Sequence, residues 1–129
     1  MRPLSAIVVH KDQTPAQLLA ESLRQHLRFV STAPGYDEAR VQVQQYRAQL
    51  MILDLETISV DEIRKLREEL PGIAIVCTHR APDDRQWTEV LGAGVADCCL
   101  ESDVRAIVLA ADRHTGTTIL GDNSSSAVA

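Results

Sequence analysis

Five short aliphatic runs, each followed by a stretch of helical period, constrain the fold of this chain more than any other feature. The runs are Ala6–Val9, Phe29–Ser31, Leu50–Leu53, Ile73–Cys77 and Asp97–Leu100. Each is too short for a helix and most are rich in β-branched residues, so each reads as a strand. Between and after them, Pro15–Leu27, Tyr36–Tyr46, Val60–Leu70, Asp83–Ala93 and Asp103–His114 carry helical period. Pro15 near the start of the first helix, and Gly92 and Gly94 near the end of the fourth, are boundary residues. Strict alternation requires crossovers between parallel neighbours, and the helices supply them. The expected fold is α/β, a doubly wound five-stranded parallel sheet of the (βα)5 kind, covered on both faces.

A chain of 129 residues fits a single domain with a sizeable core. That domain is expected over residues 1–114, where the helical period ends. The remainder, 115–129, turns to Gly, Ser, Thr and Asn and reads as a flexible tail or linker. Aromatic residues make up only 3%, so the core must be aliphatic, and Trp87 is expected to pack into it near Val90 and Leu91. Eighteen acids against thirteen bases give a net charge of -5, which offers no general attraction to phosphate backbones or anionic lipid. Neither nucleic-acid nor membrane binding is expected. No apolar run approaches the roughly 20 residues of a membrane span, and the N-terminus lacks the build of a signal peptide, so a cytoplasmic location is expected. Cys77, Cys98 and Cys99 lie in apolar stretches without CxxC spacing and read as buried thiols.

In an open doubly wound sheet, binding sites lie beyond the carboxyl ends of the strands. His10, Lys11 and Asp12 stand there after the first strand, Asp54 after the third, Thr78 after the fourth and Glu101 after the fifth. Asp54 ends a buried strand and so needs partners. Thr78 is a candidate hydroxyl donor to it. His10 alone, with no second histidine at ligand spacing, reads as a structural residue, and Asp12 as a cap for the following helix. The Gly-Ala-Gly at 92–94 follows a helix instead of opening one, so it is a helix stop and not a phosphate loop. No Ser-His-Asp or Cys-His set assembles from these positions, so no enzyme activity is expected.

From about Ser5 to His114 the order and spacing resemble the receiver domain of bacterial response regulators. IVV (7–9) resembles the first strand of that family, LMILDLE (50–56) the third with its phospho-accepting aspartate, and IVCT (75–78) the fourth with its switch threonine. LGAGVADCCLES (91–102) resembles the segment leading through the fifth strand. The resemblance implies a flavodoxin-like fold with strand order 2-1-3-4-5. It places the phospho-acceptor on Asp54, the metal-binding acid pair on His10 and Lys11, Asp12 at a neighbouring loop acid, the switch hydroxyl on Thr78 and the family lysine on Glu101. The proline after that lysine falls on Ser102, and the aromatic reporter of the fifth strand on Cys98.

These departures set the functional expectation. Magnesium wants oxygen ligands in octahedral array, and Lys11 has no lone pair to give. Glu101 would oppose an incoming phosphoryl group instead of neutralising it. Lys11 is expected beside Asp54, beside Glu101, or beside both, as a fixed counter-ion where a divalent cation would otherwise sit. The expected function is an atypical receiver in two-component phosphorelay signalling, a pseudo-receiver with no cofactor, with magnesium binding lost or weak. It would dock on another protein or a second copy through the fourth helix, fifth strand and fifth helix, whose run 106–111 is unusually apolar. One alternative is a working receiver phosphorylated on Asp54 by a histidine kinase, with Asp12 or Glu56 rescuing the metal. A third, weaker one is a flavodoxin-like domain binding a small ligand at the same strand ends.

Overall fold

The computed structural model describes residues 4–81 and 84–120, with side chains through Arg113. Five strands and five helices alternate without exception among these residues: β1 (Ser5–Val9), α1 (Gln13–Leu23), β2 (Phe29–Ala33), α2 (Tyr36–Tyr46), β3 (Leu50–Asp54), α3 (Val60–Glu69), β4 (Ala74–His79), α4 (Asp84–Gly92), β5 (Asp97–Leu100) and α5 (Val104–Leu120). The strands form one parallel sheet in the order β2-β1-β3-β4-β5, so the doubly wound (βα)5 expectation and its strand order both hold. The winding switches between β1 and β3, β2 being added on one side of β1 and the later strands on the other, and the carboxyl ends of β1 and β3 border the crevice such sheets use.

Side-chain alternation divides the core into two layers. Ile7, Val9, Met51, Leu53, Ile75 and Cys77 face α2, α3 and α4. Ala6, Val8, Leu50, Ile52 and Val76 face α1 and α5, where they meet Leu19, Leu23, Ile107 and Ala110. Every residue of β3 is buried, as a central parallel strand requires. Cys98 and Cys99 fall on opposite faces of β5, and all three cysteines are free and buried. Burial, with Asp97 nearby, pushes the Cys98 and Cys99 thiols up to about 11, and burial raises that of Cys77 further.

Helix boundaries depart from the periodic reading in instructive ways. α1 starts at Gln13 and stops at Leu23, so Pro15 lies in the first turn, where its missing N–H costs nothing. α3 opens with a full capping box between Ser59 and Glu62. α5 continues to Leu120, six residues past the expected stop at His114, because an established helix adds residues at only their propensity cost. The rest of the expected tail, 121–129, lies outside the described residues. Trp87 is not in the core: it is exposed on α4 together with Leu91, while Val90 is the buried residue of that helix. No described helix is long and apolar enough to cross a membrane.

Candidate functional site

His10 leaves β1 with its backbone N–H bonded to the Ala33 carbonyl at 3.0 Å, which keeps the residue inside the sheet margin and only 3% exposed. The chain then turns sharply, and the Asp12 amide donates to His10 Nδ1 at 3.0 Å. An N–H aimed at Nδ1 requires a lone pair there, so the ring is neutral and carries its hydrogen on Nε2. That hydrogen points at Glu101 Oε1, 2.8 Å away, and the Asp54 carboxylate oxygen Oδ2 lies 3.8 Å from the same nitrogen. One imidazole therefore ties the end of β1 to the residue following β5, across the mouth of β3.

Asp54 is the last residue of β3 and is 2% exposed. Its Oδ2 accepts a 2.6 Å hydrogen bond from the Thr57 hydroxyl, whose oxygen in turn accepts from the Lys11 backbone amide at 2.8 Å. Its Oδ1 is buried with no hydrogen-bond partner. Thr78 stands opposite Asp54 in the β3–β4 register, but its hydroxyl donates to the Leu53 carbonyl at 3.5 Å. The hydroxyl on the carboxylate is thus that of Thr57, which sits in the turn beyond the strand and so is not among the strand-end residues.

Lys11 does not enter the site. Its side chain is exposed and only its amide takes part, because the turn that buries His10 swings the next residue into solvent. The cation at the mouth is Arg80, directly after β4. Its guanidinium lies 3.4 Å from Asp12 Oδ2, 3.9 Å from Glu56 Oε1 and 3.9 Å from Glu101 Oε2. Such half-exposed pairs are each worth about 0.2–1 kcal/mol, and they gain weight as a network on one rigid fork. Asp12 holds the N-cap position of α1 but makes no side-chain cap bond, since its carboxylate is spent on Arg80. Arg80 carried a faint signal in the sequence as the first cation after the fourth strand.

The ligand-type atoms of His10, Asp54 and Glu101 lie within 4.8 Å of one another. They do not suit magnesium, which wants oxygen atoms in near-octahedral array. The imidazole is a poor nitrogen donor as placed, because its Nδ1 lone pair is on the Asp12 amide and its Nε2 bears the hydrogen given to Glu101. Of the set, only Asp54 Oδ1 is without a protein partner. What the arrangement does chemically is hold two acids close together through a neutral bridge, capped on the solvent side by a guanidinium.

No protein-family model matches the sequence, and no curated protein matches it. Solved structures do match. The isolated receiver domain of RcsB from Salmonella enterica serovar Typhimurium, with the phosphomimetic beryllofluoride, superposes at a TM-score of 0.74 with 13% identity, covering 84% of this chain and 87% of that one. A LuxR-family two-component response regulator from Aurantimonas sp. reaches 0.79 with 13% identity over 89% and 86%. The beryllofluoride-activated receiver domain of RstA from Klebsiella pneumoniae reaches 0.73 with 24% identity over 86% and 97%. The likeness is one of fold: this chain has the receiver fold of response regulators.

Proposed function

We propose that this chain is a regulatory interaction module of two-component signalling, a receiver whose phosphorylation machinery has been replaced by a closed internal network. The observation that carries this reading is the His10–Glu101 hydrogen bond at 2.8 Å. The resemblance places a metal-binding acid at the first of these positions and a phosphate-binding lysine at the second. Here the polarity is reversed: the residue after β1 donates and the residue after β5 accepts. A divalent cation would meet the Nε2 hydrogen of His10 instead of a carboxylate, and a phosphoryl group on Asp54 would meet the Glu101 carboxylate instead of an ammonium. Arg80 offsets part of the acidic charge of the rim without a metal. The module therefore acts by binding, not by turnover, and does so without magnesium.

The surface that supports docking comprises α4, β5 and α5, where Trp87, Leu91, Leu100 and Leu109 are exposed. Apolar side chains of this size on neighbouring elements suit a protein partner or a second copy. Sedimentation of the chain with and without Leu91→Glu tests self-association: a dimer dispersed by the substitution supports a second copy, and a monomer in both directs attention to a different protein.

A second reading has one observation in its favour, the unpartnered Oδ1 of Asp54, which is the atom a phospho-acceptor would use. Incubation with acetyl phosphate and magnesium, followed by intact-mass measurement, separates the two. The interaction module stays unmodified. A phosphoryl adduct that disappears in Asp54→Asn would establish the working receiver.

A further inference from the structure

At the opposite end of the strands from Asp54, an open cleft of about 500 Å³ is lined by Ser5, Arg28, Phe29, Tyr46, Arg47 and Gln49. The register explains its floor. Ser5 pairs with Phe29, and Ala6 with Leu50, so Phe29, Ser5 and Gln49 stand in a row across β2, β1 and β3. They fall on the same face as Ile7 and Val9, the face covered by α2, and the last turn of α2 brings Tyr46 and Arg47 over them. Phe29 and Tyr46 lie with ring centroids 4.8 Å apart at 45°, and Tyr46 keeps 40% of its surface exposed.

Charge distinguishes this cleft from the rest of the molecule. The chain carries a net charge of -5, yet the lining holds two arginines and no acid. Neither guanidinium has an ion-pair partner among the described residues, whereas Arg40, Arg64 and Arg80 all do. The carboxyl end of α2 offsets only about half a charge, which leaves the cleft cationic. Arg47 also occupies the left-handed region at φ 53, the only described residue other than glycine to do so. Helix ends that need this conformation ordinarily use glycine or asparagine. A long cationic side chain held at that cost, over an aromatic pair, is the kind of local outlier that accompanies a binding role.

We propose that this cleft is a small-molecule site for an aromatic anion of the nucleoside monophosphate class. Its base would lie on the open face of Tyr46, and its phosphate would be held between the Arg28 and Arg47 guanidinia. The cleft volume falls in the range of small-ligand sites, arginine forks match phosphate geometry, and an exposed aromatic face accepts a base without regard to sequence. The site is independent of the Asp54 network and stands or falls separately from it.

Amide chemical-shift titration of the full chain with GMP, guanosine and inorganic phosphate tests the proposal. GMP should shift Phe29, Tyr46 and Gln49 saturably below about 10 mM. Guanosine or phosphate alone should bind at least roughly tenfold more weakly, since each supplies half of the contacts. Arg28→Ala and Arg47→Gly should each weaken GMP by roughly five- to tenfold. Arg47→Gly is informative because glycine suits the left-handed position: affinity should fall while the melting temperature holds or rises, so unfolding cannot explain the loss. Absence of saturable shifts, shifts confined to residues around Arg80, phosphate binding as tightly as GMP, or indifference to both substitutions would each overturn it.

Discussion

Asp54 keeps one carboxylate oxygen on the Thr57 hydroxyl at 2.6 Å and buries the other with no donor. A buried acceptor left unmade costs about 1–3 kcal/mol, more when it is charged, and the neutral His10 beside it returns little. Asp54→Asn removes the charge and supplies donors, so it should raise stability by about 1 kcal/mol; urea unfolding would show a higher midpoint at an unchanged slope. His10 is the opposite case, since its two nitrogens satisfy the Asp12 amide and the Glu101 carboxylate together. His10→Ala should cost about 2–4 kcal/mol, Glu101→Ala about 1 kcal/mol, and the double variant less than their sum, because the bridge can be lost only once. A sum without coupling would mean that the bridge does not form in solution. The residues after β1 show where reading the sequence stopped. Lys11 has the larger formal charge and drew the expectation of a counter-ion, but burial favours the group that can be neutral, and an imidazole inside with an ammonium outside is the cheaper arrangement. Asp54 was legible because a carboxylate ends a run of four apolar residues, whereas the Thr57 hydroxyl was not, since only the turn geometry brings it back over the strand end.

The strands were legible as elements because central parallel strands are apolar along most of their length, and β3 keeps that pattern through Leu53 and β4 through Cys77. Helix ends were less so. The apolar period of α1 persists to Leu27, which is buried, yet the helix stops at Leu23 and Leu27 reaches the core from a turn. Trp87 shares α4 with buried Val90, but the α4 surface packs through a single stripe, and the indole lies outside it with His79 at 6.3 Å. β5 carries a prediction of its own. Its two cysteines have folded-state values raised from 9.0 to about 11, chiefly by burial. A raised thiol value means that the unfolded chain releases its protons first. The stabilisation is therefore whole below pH 9 and is lost as pH rises from 9 toward 11, by up to about 1.4 kcal/mol per pH unit for each thiol. Denaturant midpoints measured across that interval should fall steeply for the natural chain and more gently for the Cys98→Ala, Cys99→Ala double variant. Equal slopes would place the thiols in contact with water.

Across the whole molecule, the donors that close on Glu101 after β5 come from two elements far apart in sequence, neutral His10 after β1 and the Arg80 guanidinium after β4, and they meet different oxygens of its carboxylate. No local motif announces such a network, because Arg80 reaches Asp12 over 68 positions. If the closed network is what removes magnesium chemistry, then reversing its polarity should return that chemistry to an otherwise intact fold. The variant with His10→Asp, Arg80→Ala and Glu101→Lys supplies a second carboxylate beside Asp54, clears the guanidinium and restores an ammonium for the phosphoryl oxygens. It should bind magnesium in the millimolar range, as expected for a site of two carboxylates that leaves waters on the ion, and take up a phosphoryl group from acetyl phosphate on Asp54. Trp87 lies close enough to the end of β4 to report the metal by fluorescence, and intact mass reports the adduct. The Arg80→Ala variant alone should bind magnesium poorly, because it opens the rim while His10 still points a hydrogen at the ion. If that single change were enough to admit magnesium, the guanidinium and not the imidazole bridge would be the group that closes the site.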